Sequence, residues 1–257
     1  MIIPRIIPIL LLLNSGLAKG VRFRNYKYVG DPMNAIRIFN EKRADELFLL
    51  DISATKRGAI TDPGFVQRIA DECYMPFGIG GGIHNVTDMR KLLRAGAEKV
   101  SINSAAIERP ELIREASEIF GSQSITVSID VKRNWLGNYY VCSHSGCRKT
   151  SLDPVDWAVK AASLGAGEIL LNSIDRDGTS RGYDIALVNK ISSSLDIPVI
   201  ACGGAGNIAH LSQVIEQGGA SAAAAGSLFV FYGPQRGVLI QYPEAVDRYT
   251  QGDIIHE

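Results

Sequence analysis

Short apolar runs alternate with amphipathic segments along almost the whole chain. The apolar runs have the length of buried strands, and Gly, Pro, Asn or Asp residues bound many of them. This pattern predicts eight strands, at residues 5–12, 46–52, 75–79, 99–102, 124–131, 168–173, 198–202 and 222–225.

The segments between these runs place apolar residues three and four positions apart, which is typical of helices packed on one face. They predict helices at residues 32–43, 65–72, 86–95, 111–120, 154–164, 185–194 and 208–217. Strands that alternate with helices indicate an α/β fold of parallel strands joined by right-handed crossovers. Residues 22–29 alternate like a hairpin arm, and we expect them to form a flexible loop above the sheet.

The chain also resembles itself. Glu46 and Glu168 stand 122 positions apart, as do Asp62 and Asp184, and the later pairs, Gly80 with Gly203 and Asn103 with Gly226, stand 123 apart. The halves, about 1–122 and 123–245, are therefore predicted to be one four-strand unit used twice. Such a doubled unit closes into a single (β/α)8 TIM barrel over residues 1–257, whereas an open doubly wound sheet does not explain the offset. Chance similarity in a chain rich in Gly and Ala is the alternative.

Composition and charge narrow the possible partners. The chain has 257 residues, of which 46% are hydrophobic and 21% charged, and its formal net charge is zero. This balance removes the electrostatic case for nucleic acid or an anionic membrane, so an anionic ligand needs local binding groups. No apolar run approaches the ~18 residues of a membrane span. The apolar opening of the chain could be a secretory signal, but a first barrel strand explains it better.

The four cysteines do not have the density of a secreted disulfide scaffold, so we expect a cytoplasmic protein. Residues 142–147 contain Cys142, His144 and Cys147 after a short strand. A structural zinc site needs four ligands, and a second Cys/His pair at the usual spacing is missing, so we expect a polar loop and no metal. The sequence also gives no reason to expect a cofactor.

Two glycine clusters each close an apolar strand and open a helix. Glycine lets a phosphate approach bare backbone N–H groups, and a following helix N-terminus attracts the anion. One predicted phosphate cradle combines Gly81 and Gly82 with Asn103 and Ser104, which end the next strand along the chain. The other combines Asp177, Gly178, Gly204, Gly226 and Ser227. A ligand with a phosphate at each end would fit the pair; glycines that only make tight turns are the alternative.

Charged residues mark both ends of the predicted strands. Asp130 ends the first strand of the second half, where a carboxylate can perform acid-base chemistry, although a solvated or ion-paired carboxylate is the alternative. At the opposite ends, Arg5, Glu46, Lys99 and Glu168 start or precede strands. These two cations and two anions could form an inward ring at the foot of the barrel, but from sequence alone solvated rim charges are favoured.

Three segments carry a family resemblance, and they read EILLNSIDRDGT (168–179), ACGG (201–204) and SITVSIDVKR (124–133). They resemble the HisF family, the cyclase subunit of imidazole glycerol phosphate synthase, and the resemblance extends from Arg5 to about Phe231. It implies a bisphosphate substrate and makes Asp130 similar to one of two catalytic aspartates. It also implies that the four amino-end charges form a gate for ammonia made by a docked HisH-type glutaminase, which reverses the preference for solvated rim charges.

The same comparison shows departures at the carboxyl ends. Leu11 stands where the family has its other catalytic aspartate, Asn172 replaces a threonine, and Cys202 replaces a serine. Lys19 and Asp51 are retained, as are the residues of both predicted cradles. A substrate's two ends could therefore still be held while the acid-base pair is incomplete.

Two functions follow from this resemblance. The chain could be an active cyclase of histidine biosynthesis, which uses ammonia to convert the bisphosphate. It could instead pair with a HisH-type glutaminase as a heterodimer and conduct ammonia with little chemistry of its own, as in HisF-like paralogues that serve nucleotide-sugar amination for surface polysaccharide. Leu11, together with the retained gate, favours the second.

Overall fold

The computed structural model describes residues 4–233 and 235–243. Eight parallel strands lie at Arg5–Leu13 (β1), Leu47–Asp51 (β2), Phe77–Gly80 (β3), Lys99–Ile102 (β4), Ile125–Arg133 (β5), Glu168–Ser173 (β6), Val199–Cys202 (β7) and Ala222–Ala225 (β8). Each pairs with its sequence neighbour, β8 returns to β1, and β5 pairs with β6, so the sheet closes on itself. The predicted (β/α)8 barrel is confirmed, and three strands have the predicted bounds.

Side chains alternate along each strand between the barrel interior and the outer helices. On β1, Ile7 and Ile9 belong to the interior cluster, whereas Ile6, Leu10 and Leu12 pack outside against the helices. The outer cluster is the larger one and forms the main hydrophobic core. The interior cluster is smaller.

Within the described residues, seven longer helices surround the barrel, at Pro32–Glu41 (α1), Pro63–Glu72 (α2), Val86–Arg94 (α3), Glu111–Phe120 (α4), Pro154–Ser163 (α5), Ile185–Ser192 (α6) and Ile208–Glu216 (α7). Short helices lie at Ala54–Arg57 and Ser104–Glu108, and 3-10 turns at Ser122–Ser124 and Ser227–Phe229. The long helices match the predicted ones within two residues at each end.

Repeated capping devices start these helices. Asp31 and Asp153 each cap a helix that begins with proline, and their side chains accept from backbone N–H groups in the first turn. Asn85 and Asn207 cap α3 and α7 with nearly the same backbone angles, φ −155° and ψ 171° against φ −153° and ψ 173°. These matches support the doubled unit, whose division at about residue 122 stays a prediction.

Three small sets of antiparallel strands are added to the described part of the barrel. Gly16–Val21 and Arg24–Gly30 form a hairpin that continues from β1, Tyr139–Ser143 pairs with β5 and with Arg148–Lys149, and Phe231–Tyr232 pairs with Gly237–Val238. Residues 22–29, expected to be a loop, thus form most of the returning strand of the first hairpin. That hairpin contacts the segment after β6, where the Arg22 N–H donates to the Asp177 carbonyl over 2.9 Å.

None of the helices described in residues 4–233 and 235–243 has both the length and the apolar character needed to span a bilayer.

A large and a small residue fit together inside the barrel. The Phe48 ring of β2 is fully buried and lies over Gly78 of β3, its partner in the register. A β-carbon at position 78 would overlap the ring, so the aromatic side chain requires a glycine beside it. This pair fills the β2–β3 side of the interior with hydrocarbon.

We therefore predict that Gly78→Ala destabilises the chain by ~1–3 kcal/mol, because the added methyl group forces the Phe48 ring from its place. The free energy of unfolding should be measured in urea. In a Phe48→Val background the same change should cost less, since the smaller side chain leaves room. Equal costs in the two backgrounds would contradict the steric explanation.

Candidate functional site

A cavity of about 150 Å³ opens at the carboxyl ends of the strands. We call it the mouth cavity. It brings together all the residues predicted for the phosphate cradles and the substrate mouth: Lys19, Asp51, Gly81, Gly82, Asn103, Ser104, Asp130, Asn172, Asp177, Gly178, Cys202, Gly204, Gly226 and Ser227. Ligands of (β/α)8 barrels bind at this end because the βα loops converge there.

The first cradle, Gly81, Gly82, Asn103 and Ser104, lies where β3 and β4 end. Gly82 has φ +68°, and a β-carbon there would overlap the Ala59 carbonyl, so only glycine fits. In the described part of the chain, no oxygen accepts from the Gly82 N–H. Ser104 begins a short helix, and its hydroxyl accepts from the His144 N–H over 2.9 Å. Free N–H groups in such a turn can bind an anion.

The second cradle, Asp177, Gly178, Gly204, Gly226 and Ser227, lies across the mouth where β6, β7 and β8 end. Gly204 has φ +117°, and a β-carbon would overlap the Gly182 carbonyl. Ser227 begins a 3-10 turn, so its N–H lacks an acceptor within that turn. The two cradles occupy corresponding places in the two halves, consistent with a ligand that carries an anionic group at each end.

Asp130 is 8% exposed and ends the interior row of β5. Its Oδ2 accepts from the Asn103 side-chain amide over 3.0 Å. Burial, and to a smaller extent the nearby Asp177 carboxyl, raise the pKa of Asp130 to about 7, against a lowering by Lys132. A carboxyl group with such a pKa can both give and take a proton near neutral pH.

Lys19 reaches the mouth from the first hairpin. Its Nζ donates to the Ile9 carbonyl and lies against Gly226, where a β-carbon would displace it. Burial lowers the pKa of the Lys19 ammonium to about 8, against the attraction of Asp177. Burial likewise raises the pKa of Asp177, against Lys19 and the Phe23 N–H. A buried cation thus stands beside the second cradle.

Other predicted mouth residues serve local structure. Asp51 accepts from the Ser53 and Ala54 N–H groups and from the Ser53 hydroxyl, and it pairs with Arg57 over 2.8 Å. It therefore holds the short helix after β2. Burial raises the pKa of Cys202 to about 12, so its thiol stays protonated at neutral pH.

Leu11 lines the mouth cavity from β1 and pairs in register with Leu50. Strands β1 and β5 lie four places apart in an eight-strand barrel, so Leu11 faces the mouth from the side opposite Asp130. The cavity therefore presents hydrocarbon on the side that faces Asp130.

At the opposite end, Arg5, Glu46, Lys99 and Glu168 form a closed charge ring. Arg5 donates to Glu46 and, over 2.5 Å, to Glu168, and the Lys99 Nζ lies 2.8 Å from an oxygen of each glutamate. The Glu46 side chain is 2% exposed, against 28% for Arg5. Each cation contacts both anions, so removing one member would leave unpaired buried charge.

The interior between the ring and the mouth has two unlike sides. Polar residues of β4, β5 and β6 form what we call the polar wall: Ser101, Asn103, Thr126, Ser128, Asp130 and Asn172. Apolar residues cover the rest, among them Ile7, Ile9, Phe48 and Ile200. In the described part of the chain, Ser101 Oγ and Thr126 Oγ1 are buried without a hydrogen-bond partner. Register pairs these two residues across β4 and β5.

Sequence reasoning missed several residues of the mouth. Phe23 and Tyr26 of the first hairpin line the cavity, as do His144 and Glu108, whose Nε2 and Oε1 atoms are 3.6 Å apart. The alternation over residues 22–29 was the available signal for the hairpin. Among the described residues, no three His, Cys, Asp or Glu side chains converge as a metal site would require.

The closed barrel and its mouth define the class of (β/α)8 proteins that hold ligands at the carboxyl ends of their strands. Residues 5–234 match the profile of the histidine biosynthesis protein family, and the chain belongs to that family. It is 50% identical over 240 residues to a Pseudomonas aeruginosa protein provisionally named imidazole glycerol phosphate synthase subunit hisF2, a match covering 93% of this chain and 96% of the relative.

Proteins of Leptospira borgpetersenii and Leptospira interrogans, provisionally named imidazole glycerol phosphate synthase subunit HisF, are 47% and 46% identical, with 96% of this chain and 98% of each relative covered. These likenesses confirm the predicted membership of the HisF family. They make the chain a HisF-like subunit by descent, while its residue roles stay predictions.

The raised pKa of Asp130 predicts a pH effect on stability. In the unfolded chain the Asp130 carboxyl group loses its proton at lower pH than in the folded chain. The free energy of unfolding therefore falls as pH rises from about 4 to about 7 and then levels off. Asp130→Asn lacks this group and keeps the Asn103 contact. The variant should therefore gain stability relative to the wild type across that window, by on the order of 4 kcal/mol. Urea unfolding at several pH values provides the measurement, and parallel profiles for the two proteins would contradict it.

Proposed function

We propose that this HisF-like subunit accepts ammonia from a glutaminase partner at the charge ring and passes it through the barrel to the mouth cavity. The observation that carries the proposal is the buried charge ring, which is continuous with a polar wall that ends at the mouth. Cyclase chemistry of its own would be weak, because Leu11 faces Asp130. Nucleotide-sugar amination is then a suitable use for the ammonia.

The small net stability that buried charges provide supports the proposal that ammonia enters at the charge ring. A buried network of charges is often no more stabilising than hydrocarbon of the same volume, so stability alone gives little reason to retain one. This ring lies where the barrel axis meets the amino-end face, and Arg5, its most exposed member, is the one closest to solvent. A displaced Arg5 would open the axis to a small polar molecule.

The polar wall supports a path. Buried hydroxyl groups normally find hydrogen-bond partners, and leaving one unpaired costs about 1–3 kcal/mol. Ser101 lies directly above Lys99 on β4, Thr126 pairs in register with Glu168 across β5 and β6, and Ser128 follows on β5. Ammonia can both donate to and accept from such hydroxyl groups, so the wall offers successive contacts that the apolar side cannot.

The two cradles support a mouth ligand with two anionic ends, such as a bisphosphate. An active cyclase is the second candidate function, and the pKa of about 7 for Asp130 favours it, because one proton carrier suited to neutral pH is in place. The two candidate functions differ in how much cyclase rate is lost because residue 11 is a leucine.

Docking provides the first test of the proposed function. Mixing the chain with a HisH-type glutaminase of the same organism should raise glutamine hydrolysis and give a complex in gel filtration. Glu98 is exposed beside the charge ring, so Glu98→Arg should weaken the complex about tenfold through charge mismatch. Lys27→Glu, on the exposed hairpin at the mouth, is the matched control and should leave binding unchanged. If no complex forms and hydrolysis is unaltered, the conduit is refuted.

Turnover provides the second test. With excess ammonium salt, which bypasses the glutaminase, we expect the wild type to convert the bisphosphate about 10²- to 10⁴-fold more slowly than a histidine-pathway cyclase, since one acid-base group typically contributes that much. Leu11→Asp should recover part of the rate, and Leu11→Asp with Asp130→Asn should lose it again. Wild-type turnover within about tenfold of such a cyclase would show that the chain is an active cyclase.

A further inference from the structure

We propose that the tip of the hairpin formed by β5 and Tyr139–Ser143 is a docking site for an anionic lipid surface. Residues 134–138 form this tip, which we call the hairpin tip. Trp135 and Leu136 enter the interfacial layer of the bilayer, while Lys149 and Lys190 contact the lipid headgroups. The inference goes beyond the proposed function, because it needs neither ammonia nor a glutaminase and uses residues outside the mouth cavity.

Two large apolar side chains stand side by side at the hairpin tip. Trp135 is 92% exposed and Leu136 is 61% exposed. Strand β5 pairs with β6 up to Val131, and beyond it only with the returning strand. The tip therefore runs about 10 Å past the last β6 pair, at ~3.4 Å for each residue. Apolar surface is thus held at the end of a protruding element, where only a second surface can bury it.

The hairpin tip is ordered by hydrogen bonds of its own. Asn134 Oδ1 accepts from the N–H groups of Leu136 and Asn138, each over 2.9 Å. The Asn134 N–H donates to the Asn138 carbonyl over 2.9 Å, and the Gly137 N–H donates to the Asn134 carbonyl over 3.0 Å. Backbone groups that are already paired leave water at lower cost than free ones. The tip can therefore insert without losing these hydrogen bonds.

Aromatic rings and cations follow directly behind the apolar tip. The Arg133 guanidinium lies 4.5 Å from the centre of the Tyr139 ring, and the Lys190 Nζ lies 6.0 Å from the same centre. On the other half of the hairpin, the Lys149 Nζ lies 4.7 Å from the centre of the Tyr140 ring. Tyrosine and tryptophan favour the headgroup level of a bilayer, and lysine and arginine favour its anionic lipids. The order of these residues along the hairpin matches that layering.

The charge around the hairpin is positive, although the whole chain has no net charge. Asp184 pairs with Arg133 over 3.0 Å, and Asp175 accepts from the Arg133 N–H over 2.8 Å. In residues 4–233 and 235–243, no carboxylate lies within ion-pair distance of the exposed Lys149 or Lys190. These two cations remain available to an anionic surface. They also oppose a second copy of the chain, which would bring like charges together at a symmetric contact.

The small size of the apolar surface favours a bilayer over a protein partner. A stable protein interface commonly buries about 800 Å² on each side through roughly 20–30 residues. Here the apolar contact consists of two adjacent side chains on a protruding tip. Binding at a bilayer surface grows with the apolar area inserted and with the attraction of nearby cations to anionic lipids. Both contributions are present at this tip.

Tryptophan fluorescence tests the proposal, because Trp135 and the 2% exposed Trp157 are the two tryptophans of the chain. The full chain is mixed at low ionic strength with vesicles of phosphatidylcholine, alone or with an equal amount of phosphatidylglycerol. The anionic vesicles should shift the Trp135 emission to shorter wavelength, and they should sediment about tenfold more of the chain than neutral vesicles do.

Variants assign the binding to the hairpin tip. Trp135→Ser combined with Leu136→Ser should abolish sedimentation, and Lys149→Gln should weaken binding about fivefold, since one cation near an anionic surface contributes that much attraction. Tyr74→Ser is the matched control, because Tyr74 is 88% exposed and precedes β3 at the opposite end of the barrel. It should bind like the wild type. All the substituted side chains are exposed, and urea unfolding verifies that each variant is folded.

Three results would overturn the proposal. A wild type that stays in solution with unshifted emission beside anionic vesicles would exclude a lipid surface and leave a protein as the partner of this tip. Equal sedimentation of the wild type and the doubly substituted variant would exclude the tip, and equal sedimentation with the two kinds of vesicle would exclude the headgroup contacts. Glutaminase and ammonia are absent from this experiment, so its outcome is independent of the proposed function.

Discussion

The closed ring of Arg5, Glu46, Lys99 and Glu168 constrains the rest of the barrel. Each member must point inward at the foot of its own strand, because a slip of one residue would send its charge into the hydrocarbon between strands and helices. Side chains alternate with a period of two, so this choice also fixes which residues face the axis higher up. The ring thereby places Ser101 and Asn103 above Lys99, and Asn172 above Glu168, on the interior side.

The interior that results is divided lengthwise. Phe48 over Gly78 and the aliphatic residues of β1 cover one side with hydrocarbon, whereas β4, β5 and Asn172 of β6 present hydroxyl, amide and carboxyl groups on the other. A symmetric apolar core would stabilise a barrel at least as well. The division therefore makes more sense as a surface for a small polar guest, and it ends where the two cradles face each other. The inward orientation of the ring residues thus also determines which side chains face the axis up to the mouth.

Sequence reasoning reached most of the fold because the signals were local. Apolar runs of strand length and helical periodicity located all eight strands and the seven long helices to within two residues at nearly every boundary. Residues 22–29 alternate like a hairpin arm but were expected to form a flexible loop, whereas most of them pair with Gly16–Val21 and Arg22 contacts the segment after β6. The binding of Asp51 to Arg57 and the unpartnered oxygens of Asn103 and Asn172 were equally inaccessible, since they depend on side chains that meet only in three dimensions.

Leu11 is best understood as part of the apolar side of this interior. It continues the row of Ile7 and Ile9 to the top of β1 and packs with Leu50, so it fits its surroundings as a hydrophobic residue. A carboxylate there would be surrounded by hydrocarbon side chains, which disfavours its ionised form. With leucine instead, the hydrocarbon side of the interior extends from Ile7 to the mouth cavity, while Asp130 lies on the opposite, polar side. The weak cyclase chemistry that we propose for this chain therefore follows from the same lengthwise division of the interior.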